Sequence, residues 1–182
     1  SDHGKRSDID EQENVNDHLL RETMRARVTA INKTKIFSFV CAAFCILLYP
    51  LLSMSGALGN AFVIATCVMM LFCSFATYYI HRPVDRMNLM TEDLATVAKV
   101  MAKFRRQYNQ WLYYVTPSVF IPWLAWVVYE FAWKNAPDGM NHWLMALPLL
   151  VGAVIGLLIG YYMHRNTVNA AQKIIDQIEE GK

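Results

Sequence analysis

Two histidines in this chain share one local setting. Tyr78-Tyr79-Ile80-His81-Arg82 closes one apolar stretch, and Tyr161-Tyr162-Met163-His164-Arg165 closes another. An imidazole, which titrates near neutrality, beside a guanidinium suits holding an anionic group or reporting pH. At the edge of an apolar segment the same residues also serve as anchors that reach water. His81, Arg82, His164 and Arg165 are therefore candidates for an anionic ligand or lipid headgroup, weighed against plain anchoring. Two histidines do not complete a zinc site, and no metal is expected.

Glu130 is the only acid inside an apolar stretch, between Tyr129 and Phe131 with Lys134 four residues on. Pairing with Lys134 along a helix face is the plain reading. Deeper in a bilayer, the same carboxylate would be an ion site, because intramembrane acids are costly and kept for function. Gly152, Gly156 and Gly160 form a small-residue stripe, which lets helix backbones approach closely in lipid. It implies helix packing within the chain or a homo-oligomer interface. No nucleophile with a base, phosphate loop, dinucleotide fingerprint or zinc spacing occurs, so neither catalysis nor a cofactor is expected.

These residues are carried by four long windows, roughly Ile36 to Met54, Asn60 to Ile80, Trp111 to Trp133 and Trp143 to Met163, from which charge is nearly excluded. Each approaches the ~20 apolar residues that a helix needs to cross the hydrocarbon layer. They lack the alternation of barrel strands, and in lipid a helix satisfies its own backbone. The expected fold is all-α and integral to the membrane, with four transmembrane helices as two hairpins (36–82 and 111–165). The matching Tyr-Tyr-x-His-Arg endings suit either a tandem repeat of one hairpin or convergent interface signals. Pro50, Pro117, Pro122 and Pro148 fall within the windows as expected kinks. The four cysteines lie in the first two windows and are expected to be free thiols. No cleavable signal segment is expected, since the first 14 residues are polar.

Basic residues set the expected orientation. Of 17 Lys and Arg, only Lys134 falls on the side of the short connections 55–60 and 135–139. The positive-inside rule then places the N-terminus, the middle connection and the C-terminus in the cytoplasm of a plasma membrane, of the bacterial inner-membrane kind. The charge pattern is organised by the lipid bilayer and implies no nucleic acid.

Three stretches beyond the windows read as helical. In the connection 83–110, Met87, Met90, Leu94, Val97, Met101, Phe104 and Tyr108 step by three and four, a coiled-coil seam, with Thr91 as a candidate cap. Leu20, Met24, Val28 and Ile31 mark one face of a helix over 15–35. Val168, Ala171, Ile175 and Ile178 do the same over 166–182. Together these seams predict a small cytoplasmic bundle. The competing arrangement lays the middle helix on the membrane with Lys99, Lys103, Arg105 and Arg106 at headgroups. Residues 1–14 are polar and expected to be disordered. The leading functional expectation is a non-enzymatic regulatory or scaffolding membrane protein that binds a cytoplasmic protein partner through these helices. A small oligomeric channel or transporter subunit is the alternative, and an enzyme or binder of lipid headgroups at the inner interface comes next.

Overall fold

A computed structural model describes residues 2–180 except 57 and 135, with side chains from residue 11 onward. Among the described residues the secondary structure is helical. Helix α1 spans Asp2–Met54, α2 Asn60–Arg86, α3 Leu94–Gln110, α4 Thr116–Val128 and α5 His142–Glu180. A π-helical turn, Trp111–Val115, joins α3 to α4, and a second, Tyr129–Lys134, follows α4. The run from Leu94 to Lys134 is thus one helix, so that among the described residues four helices are long and apolar enough to cross a membrane. Large apolar side chains on these spans, including Phe44, Leu47, Phe75, Leu147 and Leu158, face outward. Such a contiguous apolar exterior is what lipid solvates and water does not.

The first π turn has a local cause. Pro117 lacks an N–H and its ring would crowd the carbonyl four residues back in a regular α-helix. The widened turn relieves this. The Thr116 N–H reaches the Trp111 carbonyl, which also accepts from the Thr116 hydroxyl at 3.3 Å. At the other end of the spans α1 stops at Met54, where Gly56 takes a φ of 77° in the connecting turn. Left-handed backbone of this kind favours glycine.

Two apolar clusters hold the helices, one at each end. At the first, Met24 and Ile31 of α1, Val84 of α2, Val97, Met101 and Phe104 of α3, and Ile174 and Ile178 of α5 are buried together. The three seams therefore pack on one another as a bundle rather than lying apart. Leu94, Met87, Leu20, Val28, Tyr108 and Ile175 pack around that cluster. Met90 differs from its expected seam position and is 45% exposed. The reason is local: α2 ends at Arg86, with Met87 as its C-cap, and α3 begins only after the N-cap Asp93, so the heptad does not continue through the turn between them. Thr91 accordingly lies in that turn and not at the cap.

At the opposite end, Leu58, Phe62, Val63 and Val127 form a smaller cluster joined by Tyr49, Trp123 and Phe131. The composition boundaries at 35/36 and 165/166 are not breaks in the chain path, since α1 and α5 run through them without interruption. Helix α1 also starts at Asp2, inside the polar stretch for which composition predicted disorder.

Candidate functional site

Between the two clusters the four spans leave an open apolar cleft of about 1090 Å³. Its walls include Cys41 and Cys45 of α1, Met69 and Met70 of α2, and Phe120 and Leu124 of α4. The remaining wall is the stripe Gly152, Gly156 and Gly160 of α5. A Cβ built on any of these glycines would meet nothing within 4 Å. The stripe is therefore not spent on packing inside the chain, as one of its two expected roles required; it is a bare strip of helix backbone facing open space. All four cysteines are free.

The bundle end of the cleft is closed by a stack of rings. Tyr108 lies parallel to His164, with centroids 4.7 Å apart and planes 5° apart. On its other side it stacks on Phe104 at 5.4 Å and meets His81 edge-on at 5.7 Å. The two sequence-matched histidines are thus joined through one tyrosine of α3. Each is fixed differently. His81 is 1% exposed, and its Nδ1 is 2.8 Å from the Thr77 carbonyl, which sets the donor tautomer there. His164 Nε2 is 3.0 Å from Asn109 Oδ1. Behind the stack the buried Thr167 hydroxyl donates to Thr34 at 2.9 Å, tying α5 to α1. Lys35 and Asp85 pair at 2.7 Å between α1 and α2. Arg82 and Arg165 sit on exposed faces, in no ion pair among the described residues. The four-residue anion-binding cluster expected from the repeated endings is thus divided between two buried or half-buried rings and two outward guanidiniums, because neighbouring helical positions point about 100° apart.

Beside the foot of the cleft lies a second hollow of about 660 Å³. Arg105, Arg106, Asn109 and Gln110 line it, and Tyr113 borders both spaces. No carboxylate lines either hollow, and neither arginine is in an ion pair among the described residues. In the bundle these arginines border a hollow between α3 and α5.

At the turn end Glu130 is 3% exposed and surrounded by donors. Lys134 Nζ lies 3.1 Å from both carboxylate oxygens. The Gly59 N–H donates to Oε2 at 3.1 Å, and the Trp126 indole N–H to Oε1 at 3.3 Å. Pairing with Lys134 agrees with the spacing on the helix. The Gly59 contact, 71 residues away in sequence, had no sequence signal. It makes the carboxylate a clasp between the α1–α2 turn and the end of the third span. Nearby, Trp123 donates to the buried Thr66 hydroxyl at 3.0 Å, so this tryptophan is a packing residue.

No cluster of histidine, cysteine or acid able to hold a metal occurs among the described residues. No protein-family model matches the chain, and no curated protein or solved structure does either.

Proposed function

We propose that the chain is a non-enzymatic, regulatory or scaffolding membrane protein that presents its helical bundle in the cytoplasm and binds a protein partner at the bundle tip. The observation that carries this reading is a patch outside the packed seams. Val15 and Leu19 of α1 are each 55% exposed, one helical turn apart, with Met90 of the α2–α3 turn beside them. Glu11, Asp17, His18 and Arg21 border the same hollow of about 810 Å³, with Asp17 and Arg21 paired at 2.9 Å. An apolar patch with a flexible methionine and a mixed polar rim suits the apolar face of an amphipathic helix. Charge supports the cytoplasmic side: basic residues crowd the bundle end, and Lys134 is alone at the turn end.

A photo-crosslinking residue at position 19, in cells expressing the full chain, tests the reading. The expected result is one adduct of defined mass, lost in Val15→Asp and Met90→Asp and absent when the probe stands at position 173. Absence of any adduct, or equal capture from both positions, overturns it. Labelling of a single cysteine at position 179 by an impermeant reagent from outside intact cells overturns the orientation.

A further inference from the structure

The apolar cleft and the arginine hollow are neighbours, and their chemistry is that of the two halves of one amphiphile. We propose that together they form a binding site for an anionic phospholipid drawn from the leaflet at the bundle end, with one acyl chain along the Gly152, Gly156 and Gly160 strip and the phosphate at Arg105 and Arg106.

Dimensions support the acyl half. The α5 wall of the cleft runs from Leu149 to His164, a length of about 22 Å at the ~1.5 Å rise of an α-helix. One leaflet contributes roughly half of the ~30 Å hydrocarbon layer, so a single chain from the bundle end fits within that length. The three glycines leave helix backbone bare with nothing within 4 Å of a built Cβ, which lets a methylene chain lie close, as small residues let helices do. A cleft of about 1090 Å³ also matches the upper range of small-molecule sites, roughly 300–1,000 Å³.

Charge supports the headgroup half. Arg105 and Arg106 line the hollow at the foot of the cleft with no acid among its lining residues. Basic pockets between spans on the positively flanked side of a membrane are where anionic headgroups dock. Tyr113 lines both spaces, so headgroup and chain positions are continuous. A phosphate satisfies the guanidinium forks in a way that a zwitterionic head, with its own ammonium nearby, matches less well.

The proposal is independent of the partner at the tip, and its test does not involve that patch. The full chain is purified in detergent, exchanged against equimolar phosphatidylglycerol and phosphatidylcholine, and weighed intact by native mass spectrometry. One phosphatidylglycerol retained per chain, with a preference of about thirtyfold, is expected from two arginines at the headgroup. Arg105→Gln with Arg106→Gln removes the preference, while Arg82→Gln with Arg165→Gln leaves it. Gly156→Leu, which has room for its side chain, removes retention with the thermal midpoint unchanged. Equal retention of both lipids by the wild-type chain means bulk lipid only and overturns the proposal. So does loss of preference in the Arg82 and Arg165 variant. A dimer without bound lipid that Gly156→Leu converts to monomer overturns it in favour of a second copy on the strip.

Discussion

Tyr108 is wedged between two histidines from different helices, parallel to His164 and perpendicular to His81. It also stacks on Phe104, so three ring contacts depend on it. At ~0.5–1.5 kcal/mol for each aromatic contact, Tyr108→Ala is expected to destabilise the chain by about 1.5–4.5 kcal/mol. Tyr114→Ala, at a ring 72% exposed, is the comparison. Equal losses of thermal midpoint in micelles for the two variants would remove the stack from the account of how the bundle end is held.

The α3 seam separates two methionines of similar expected role. Met101 is fully buried and Met90 is exposed. Met101→Ala is expected to cost about 2–5 kcal/mol, as in other buried positions, and Met90→Ala less than about 0.5 kcal/mol. Unfolding midpoints decide the matter, and a large loss at Met90 would return it to the seam.

Thr34 and Thr167 share a buried hydroxyl contact between α1 and α5. When Thr167 is replaced the Thr34 hydroxyl keeps only a long 3.5 Å bond to the Ala30 carbonyl, so Thr167→Val is expected to cost about 1 kcal/mol, and Thr34→Val with Thr167→Val less than the sum of the two single changes. Strict additivity of the two single changes in a double-mutant cycle is the outcome that contradicts this.

Glu130 is buried, while the Lys134 side chain is 44% exposed. Lys134→Met strips the carboxylate of its cation, and about 2 kcal/mol is expected, below the ~3–5 kcal/mol of fully buried pairs because water reaches the lysine. Glu130→Leu with Lys134→Met should recover part of that loss. A double variant less stable than Lys134→Met would show that the donors from Gly59 and Trp126, rather than the ion pair, dominate.

Gly59 meets the same clasp. A Cβ there would stand 2.6 Å from Lys134 Nζ and 3.2 Å from each Glu130 oxygen. Gly59→Ala is expected to lower the midpoint in the wild-type chain and to do so less in the Lys134→Met background, where the closest obstacle has gone. An undiminished effect in that background would point to the carboxylate as the obstacle.

The four spans were legible because exclusion of charge over some twenty residues leaves a helix few alternatives. The bundle was legible as well, since Val97, Met101 and Phe104 keep their period and find Met24, Ile31 and Ile178 on matching faces. What escaped was pairing at a distance. Thr34 and Thr167 occupy apolar register positions, three residues after Ile31 and four before Ala171, and a hydroxyl in such a register is a readable sign of a buried partner. Its identity is not written locally. The Gly59 contact with Glu130 likewise depends on where a turn lands after two spans have packed. Arg105 and Arg106 read as generic interface charge until α5 supplied the other side of their hollow.

The 53 residues of helix α1, Pro50 among them, form one continuous helix, about 80 Å long at the helical rise. Spans adjust their tilt to bilayer thickness, and with Val15 nearly 30 Å beyond Thr34 at that rise, a reorientation of about 10° sweeps Val15 sideways by about 5 Å. The patch and the first span thus share one helix, so that any tilt of the span reaches Val15 only together with the bundle in which Met24 and Ile31 are buried.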